Sequence, residues 1–199
     1  IWYKELAYLH PSYFEPDISV VNRINPGNKR FFVIRLVAMT ASHDRGLKGI
    51  HYRQLDALIE LLGTYGSVFL SSERKLEKKY EPYRLRIKPY EIYDVLYFAD
   101  MFIGDSGTMS SEAAILGTPS FFYHDFAGRL SVMEEKESKY KIIHCYKSNE
   151  FEKMYKKINE LVKRKDSKNI WKERTSVMFE NTEDINQFFV KQILNFKYG

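Results

Sequence analysis

One stretch of the sequence combines residue types that suit the binding of an anion. It runs from Ile103 to Pro119 and reads IGDSGTMSSEAAILGTP. An apolar strand ends at Gly104, and the helix that follows begins with backbone N–H groups that have no partner inside the helix. Ser106 suits the N-cap position, Gly107 lets a phosphate group approach the backbone, and Thr108 adds a hydroxyl donor. The stretch therefore predicts a phosphate site where a helix begins.

Glu112 extends this hypothesis from a phosphate to a nucleotide. It follows Thr108 by four residues, which places it on the same helix face and one turn deeper. Its carboxylate could accept hydrogen bonds from a pair of hydroxyl groups such as those of a ribose. A phosphate beside a diol describes a nucleoside diphosphate. Serine N-caps and glycine turns also occur in α/β proteins that bind no phosphate, so a purely structural interpretation stays open at this point.

Other chemistries lack the residues that they need. The stretch contains neither the Gly-Lys-Ser or Gly-Lys-Thr of a P-loop nor the GxGxxG of a dinucleotide site. His10, His51 and His144 are scattered, and Cys145 is the one cysteine of the chain, so the sequence predicts no metal site and no cofactor. A serine hydrolase would need a GxSxG turn, whereas Ser106 stands in Gly-Asp-Ser-Gly-Thr.

Two loops could add contacts to the same cleft. The loop after the first strand contains His43, Asp44 and Arg45, and a guanidinium group can bind a pyrophosphate through two parallel hydrogen bonds. A later loop contains His124 and Arg129. In both loops, a polar segment that only faces solvent is the alternative interpretation.

Strands and helices must alternate to bring these residues to one edge of a sheet. Nearly continuous apolar runs, typical of parallel strands buried on both faces, lie at 30–37, 67–70, 101–104, 119–123 and 142–146, with a short further strand near 84–87. Helical spacing of apolar residues lies between them, at 52–62, 92–99 and 109–116, and a charged stretch at 74–80 also has a helical pattern. The pattern predicts an α/β fold with a doubly wound, Rossmann-like parallel sheet, in which ligands bind at the carboxyl ends of the strands.

The two ends of the chain differ from this alternating part. Residues 1–28 contain prolines and turn formers and little periodicity, so we interpret them as a leading arm or interdomain segment. The domain proper then covers residues 29–199, and from about residue 150 it continues as a helical C-terminal tail. Three helical segments are expected there, at 151–164, 168–179 and 182–195.

Composition and charge favour an ordinary globular chain. The 199 residues are 44% hydrophobic and 29% charged, which excludes disordered, collagen-like and coiled-coil classes. No apolar run reaches the roughly 18 residues of a membrane span, and the N-terminus does not resemble a signal peptide, so we expect a cytoplasmic protein. The net charge of +5 arises mainly in residues 151–199, where lysines alternate with an apolar helix face. A solvated helix face explains these lysines more simply than nucleic-acid binding does.

The segment from Asp105 to Pro119 resembles the nucleotide-binding segment in the C-terminal domain of UDP-N-acetylglucosamine 2-epimerases and related GT-B glycosyltransferases. Those proteins carry Asp-Ser-Gly-Gly, two further residues and then Glu-Glu-Ala. Here Thr108 replaces the second glycine and Ser111 replaces the first glutamate. With Lys4–Pro11 and Ser42–Asp44 included, the chain is similar to a less-studied group of predicted bacterial and archaeal glycosyltransferases that share this fold.

The resemblance implies a role for each matched residue. Ser106 and Gly107 would bind the diphosphate, and Glu112 would bind the ribose. It also implies that the chain forms one half of a GT-B fold, facing an upstream N-terminal domain that carries the acceptor-binding and catalytic residues. The start of the sequence at Ile1 rather than Met agrees with such a fragment. We expect no activity from this half alone.

Three functions remain open at this point. The first is the nucleotide-sugar-binding half of a GT-B glycosyltransferase, with a UDP-type sugar, acting in the synthesis of cell-surface polysaccharide or glycoconjugate. The second is a nucleotide-sugar epimerase or hydrolase on the same fold, and the third is an interaction domain that has lost its ligand. Apolar residues that a second domain would cover, such as Trp2, Tyr13 and Phe14, also suggest a homo-oligomer.

Overall fold

A single parallel sheet organises the molecule. The computed structural model describes residues 3–27, 29–38 and 49–198. The strands in these residues are β1 (Phe31–Leu36), β2 (Ser67–Ser72), β3 (Met101–Gly104), β4 (Ser120–Tyr123) and β5 (Ile143–Tyr146). Their order is β2-β1-β3-β4-β5, and all neighbouring strands run parallel. This confirms the predicted doubly wound sheet, with its change of direction between β1 and β3.

Helices cover both faces of the sheet. They are α1 (Leu6–Leu9), α2 (Ile18–Ile24), α3 (Tyr52–Gly63), α4 (Ile92–Phe98), α5 (Gly107–Ile115), α6 (Ser131–Ser138), α7 (Phe151–Val162), α8 (Ser167–Glu180) and α9 (Ile185–Tyr198). Helix α3 contacts α7, whereas α4 contacts α2 and α5, and α5 contacts α8. Because the connections β1–β2 and β3–β4 run in opposite directions, right-handed crossovers place α3 and α5 on opposite faces.

The central strands are apolar on both sides because both faces are covered. Phe32, Val33 and Ile34 of β1 have no exposed surface, and the same holds for Phe102 and Ile103 of β3. The sequence of a strand buried on both faces is a continuous apolar run rather than an alternating pattern. This pattern made the central strands predictable.

The C-terminal helices belong to the same core. Their predicted positions are confirmed, and Met154, Ile158 and Met178 are fully buried. The indole N–H of Trp171 donates to the carbonyl oxygen of Ile142 at 2.6 Å and ties α8 to β5. The part of the tail formed by α7 and α8 is therefore an integral layer of the domain.

The start of the chain forms regular structure, although its sequence has little periodicity. Residues 6–9 and 18–24 form α1 and α2, and Tyr3, Leu6 and Val20 are buried in the common core. These helices have four and seven residues, which is too short for apolar spacing to reveal them. Whether residues 1–28 also act as an interdomain segment stays a prediction.

The predicted helix at 74–80 and strand near 84–87 are also corrected. A 3₁₀ helix occupies Lys78–Tyr83 and includes Pro82, and a second one begins at Pro89. Between them, the N–H of Leu85 donates to Leu70 of β2 at 2.8 Å, but no further ladder forms. The short interval between two proline-containing turns leaves no room for a full edge strand.

Candidate functional site

Helix α5 begins at the carboxyl edge of the sheet, beside the change of strand direction. In the register of the sheet, Arg35 of β1 is the partner of Gly104 of β3, so the chain segments after these residues leave the sheet side by side. Ser106 has extended backbone angles, and its hydroxyl accepts a hydrogen bond from the N–H of Met109 at 3.3 Å. Ser106 therefore takes the N-cap position that the sequence predicted.

Two adjacent cavities open at this helix end. A cavity of about 260 Å³ contacts Ser106, Gly107, Thr108 and His124, and a cavity of about 590 Å³ contacts Gly107, Thr108 and Arg129. The N–H groups of Gly107 and Thr108 have no hydrogen-bond partner among the described residues. Such groups carry the positive end of the helix dipole, so this end of α5 suits an anion.

Gly107 leaves space that the protein itself does not need. A Cβ atom added there would lie 3.7 Å from Phe122 and 3.8 Å from Met133, which are ordinary contact distances. In contrast, a Cβ atom at Gly104 would lie 2.9 Å from both Arg35 and Phe102. Packing therefore requires glycine at position 104, whereas a methyl group at position 107 would fit in ordinary contact with its neighbours.

The predicted loop residues differ in their placement. Arg129 is exposed on the wall of the larger cavity and forms no ion pair with another described residue. His124 is buried beside the smaller cavity, where its Nδ1 accepts a hydrogen bond from the N–H of Phe126 at 3.1 Å. His43, Asp44 and Arg45 lie outside the described residues.

The buried Asp105 and the partly buried Arg74 form an ion pair next to Ser106 that the sequence did not reveal. The two Asp105 carboxylate oxygens accept from the N–H of Val37 at 2.7 Å, the N–H of Ile50 at 3.3 Å and the Arg74 guanidinium at 2.5 Å. Arg74 also donates to the carbonyl oxygens of Val37 and Ile50, at 2.6 and 2.8 Å. Burial raises the pKa of Asp105 to about 6, while Arg74 and the backbone donors act in the opposite direction. The pair fixes the ends of several chain segments around the N-terminus of α5.

Arg35 illustrates why a charged residue can lie inside an apolar strand. Its guanidinium donates to the hydroxyl of Ser71 at 2.8 Å and forms a close ion pair with Glu73. Glu73 also accepts from the N–H of Ala38 at 3.1 Å. A structural ion pair thus satisfies the charge of Arg35.

Glu112 lies one turn into α5, as predicted, but other residues already bind its carboxylate. It is buried, with 5% of its surface exposed, and Oε1 accepts from the hydroxyl groups of Tyr8 at 2.8 Å and Tyr93 at 3.2 Å. Burial raises its pKa, while both tyrosine hydroxyls act to lower it. Local sequence patterns did not reveal Tyr8 as a partner of Glu112, because the two residues are 104 positions apart.

A second buried charge cluster fixes α1 to α5. The hydroxyl of Ser111 donates to Glu5 at 2.6 Å, and the fully buried Lys136 contacts both the Ser111 hydroxyl and, at 3.5 Å, the Glu5 carboxylate. Burial opposes ionisation of Glu5, but Lys136 and Ser111 outweigh it and hold the pKa of Glu5 below its usual range. Ser111, the residue that replaces the first glutamate of the resembled motif, therefore has a structural role here.

Two further properties of the described residues bear on function. Within residues 3–27, 29–38 and 49–198, no three His, Cys, Asp or Glu side chains lie close enough together to hold a metal ion. Over the same residues, no helix is both long and apolar enough to span a membrane.

Solved structures with the same fold include carbohydrate-active proteins. The chain superposes on CalG4, the calicheamicin glycosyltransferase, with a TM-score of 0.55 and 12% identity, over 92% of this chain and 44% of CalG4. It superposes on a putative UDP-N-acetylglucosamine 2-epimerase from Listeria monocytogenes with a TM-score of 0.52 and 15% identity, over 86% of this chain and 50% of that protein. The chain thus spans about half the length of these proteins, and at such low identity the likeness establishes the fold alone.

These similarities confirm the predicted architecture, one Rossmann-like half of a GT-B fold. No curated protein of known function matches the sequence. One family model matches residues 5–187, which is most of the chain. The chain belongs to the family described as "Protein of unknown function (DUF354)".

Proposed function

We propose that this chain is the nucleotide-sugar-binding domain of a two-domain glycosyltransferase. In this proposal, Ser106, Gly107 and Thr108 bind the diphosphate of a UDP-type sugar at the N-terminus of α5, and Glu112 binds the ribose. Residues for the acceptor and for catalysis lie on a second domain. Synthesis of cell-surface polysaccharide or glycoconjugate is the corresponding biological role.

One observation carries the proposal: helix α5 opens onto two cavities at the point where the parallel sheet changes direction. In doubly wound sheets, ligands bind in the crevice at this point. The unpartnered N–H groups of Gly107 and Thr108 and the exposed Arg129 on the same cavity supply donors and positive charge for an anion. Among the described residues, the acidic side chains that contact either cavity are Asp105, Glu73 and Glu5, and each of these three is already paired with a cation.

In this proposal, the same groups also act during sugar transfer. When the bond between the sugar and the diphosphate breaks, negative charge develops on the leaving phosphate oxygen. The N-terminus of α5 and Arg129 would stabilise that charge, because they are preorganised around the phosphate before the bond breaks. Further contacts to the ligand are proposed for His43, Asp44, Arg45 and His124.

Calorimetric titration with UDP tests the proposal, with Gly107→Ala as the informative variant. A methyl group at position 107 fits the protein but obstructs the approach of a phosphate to the backbone. We expect wild type to bind UDP and Gly107→Ala to bind it at least about tenfold more weakly, or about 1.4 kcal/mol.

Gly63→Ala is the matched control, since a Cβ atom at Gly63 meets no other atom within 4 Å and the residue lies at the end of α3. It should leave the affinity for UDP unchanged. The absence of UDP binding to a folded wild-type chain, and also to a longer form that includes an upstream domain, would refute the proposal.

A further inference from the structure

We propose that Glu5 binds a hydroxyl group of the sugar that the diphosphate carries, inside the larger of the two cavities at the start of α5. The inference rests on the proposed function, because it takes the ligand to be a nucleotide sugar. It goes beyond that function by assigning the sugar to one cavity. It also names a residue that makes the site prefer a nucleotide sugar to the nucleotide alone.

The larger cavity joins the N-terminus of α5 to Glu5. Its volume is about 590 Å³, and its wall includes Gly107 and Thr108 together with Glu5 and Ser111. Ser111 follows Gly107 by four residues, so it lies on the same face of α5, about 5.4 Å further along the helix. The Ser111 hydroxyl donates to Glu5 at 2.6 Å. A sugar ring linked to a phosphate at Gly107 therefore has the Glu5 carboxylate within its reach.

One oxygen of the Glu5 carboxylate is left for a ligand. Oε1 accepts from the Ser111 hydroxyl and lies 3.5 Å from the ammonium group of Lys136. Oε2 forms no hydrogen bond with another described residue, and it is not among the side-chain atoms that burial leaves without a partner. Because a carboxylate offers about four acceptor positions, a ligand hydroxyl can bind Oε2 without displacing Ser111 or Lys136.

The other two acidic side chains on the cavities have no such oxygen. Both oxygens of Asp105 accept from protein donors. Both oxygens of Glu73 do so as well, from Arg35 and from the N–H of Ala38. Within the part of the chain that the structure describes, Glu5 is thus the acidic residue on these cavities with an oxygen open to a ligand.

The charge of Glu5 suits it to hydroxyl groups. Burial opposes ionisation, but Lys136 and Ser111 hold the pKa of Glu5 below its usual range, so the carboxylate is ionised at neutral pH. An ionised carboxylate only accepts hydrogen bonds, and these bonds are stronger than those between neutral groups. The hydroxyl groups of UDP itself lie on the ribose, which the proposed function assigns to Glu112. Glu5 therefore strengthens binding only when the nucleotide carries a sugar.

The remaining wall of the larger cavity also fits a sugar ring. Ser131 adds a hydroxyl group, and Leu130, Val132 and Met133 add apolar surface. A sugar ring carries hydroxyl groups around its edge and C–H groups on its faces, so it uses both kinds of wall.

Calorimetric titration with UDP, UDP-glucose and UDP-N-acetylglucosamine tests the inference in wild type and in Glu5→Gln. We expect wild type to bind at least one of the two sugar nucleotides about tenfold more tightly than UDP. In Glu5→Gln, the amide oxygen accepts from Ser111 and the amide nitrogen replaces Oε2, so the ionised acceptor is lost. The preference for the sugar nucleotide should fall to about threefold or less, while the affinity for UDP stays unchanged.

Glu91→Gln is the matched control. Glu91 is also a buried carboxylate, and it accepts from Arg23 at 2.7 Å, but it lines neither cavity. Its substitution should leave the preference for the sugar nucleotide at the wild-type value.

A second variant serves if Glu5→Gln does not fold because Lys136 has lost its counterion. Combining Glu5→Gln with Lys136→Met removes both charges of the buried pair, a replacement that proteins often tolerate, and we expect the same loss of preference. If neither variant folds, a crystal structure of wild type with the sugar nucleotide decides. A sugar hydroxyl must then lie within about 3.2 Å of Oε2 of Glu5, and its absence there overturns the inference.

Loss of the sugar preference in the variant, with unchanged affinity for UDP, supports the inference. A wild type that binds UDP without preferring a sugar nucleotide, or a variant that keeps the preference, overturns it. A lower affinity of the variant for UDP also overturns it, because Glu5 would then bind the ribose. If neither the folded chain nor a longer form with an upstream domain binds UDP or the sugar nucleotides, the proposed function fails and the inference fails with it.

Discussion

Asp105 and Glu112 are buried carboxylates of the same motif, seven residues apart, and different kinds of hydrogen-bond donor surround them. Asp105 is bound by an arginine and by two backbone N–H groups. Glu112 is bound by two tyrosine hydroxyls. In both, burial raises the pKa.

The donors decide what each carboxylate can do. The donors to Asp105 belong to the backbone after β1, the backbone before α3 and a side chain after β2, so no ligand can take their place without moving those segments. The donors to Glu112 are hydroxyl groups, and a sugar supplies groups of the same kind. A buried carboxylate is thus a structural group or an exchangeable binding group according to which donors satisfy it.

The largest expected effect is that of Asp105→Ala on stability. The substitution leaves the buried side of Arg74 and the N–H groups of Val37 and Ile50 without their acceptor. We expect the free energy of unfolding to fall by about 3 to 5 kcal/mol, measured by urea denaturation at pH 8. Asp166→Ala is the control, since Asp166 pairs with Arg164 at 2.9 Å on the exposed surface.

The control should lower the free energy of unfolding by at most about 1 kcal/mol. Equal losses in the two variants would show that the Asp105 pair does not hold the edge of the sheet together. The contrast with Glu112 would then have no basis.

The pH dependence of stability is expected to be the next largest effect. The pKa of Asp105 is about 6 in the folded protein, compared with the ordinary value of 3.8 that applies to the unfolded chain. The native state therefore binds the proton more tightly than the unfolded state does. The contribution of Asp105 to the free energy of unfolding is therefore greatest below pH 3.8 and is lost as the pH rises to about 6. The comparison variant is Asp105→Asn, which does not titrate at this position.

The difference in free energy of unfolding, wild type minus Asp105→Asn, should fall by about 2 to 3 kcal/mol from pH 4 to pH 6. Urea denaturation at several pH values measures it, and the other titrating groups cancel in the difference. An increase with pH would instead show that Arg74 and the backbone donors outweigh burial.

The smallest expected effect is that of Glu112→Ala. The variant leaves two phenol hydroxyls without an acceptor, but Tyr8 is partly exposed and can donate to water instead. We expect a loss of about 1 to 2 kcal/mol in the free energy of unfolding, less than for Asp105→Ala under the same conditions. A loss as large as that of Asp105→Ala would make Glu112 a structural carboxylate and remove the distinction drawn above.

Local patterns in the sequence predicted much of the fold. The apolar runs located β1 to β5. The central strands β1, β3 and β4 are buried on both faces and therefore need apolar side chains on both. The N-cap of α5 was predictable because Ser106 follows a strand and precedes a helical pattern. Short elements were not predicted correctly. Helix α1 has only four residues and was missed, whereas the segment at 84–87 alternates like a strand but forms only a single bridge to β2.

The partners of the site residues were not predictable in the same way. Tyr8 reaches Glu112 across 104 positions, and the segment between Glu5 and Lys136 contains the strands β1 to β4. Arg74 was one of many charged residues, and no local feature marked it as the partner of Asp105. A buried charge implies that a partner exists, but not which residue it is.

The sequence by itself determined the five strands, the helices α3, α4 and α5 between them and the helical tail, because these depend on hydrophobic periodicity and on capping between near neighbours. The tertiary structure decided that an arginine and backbone N–H groups bind Asp105 and that tyrosine hydroxyls bind Glu112. That difference depends on which donors the parallel sheet and its covering helices bring to each buried oxygen, and those donors come from residues far away in the chain.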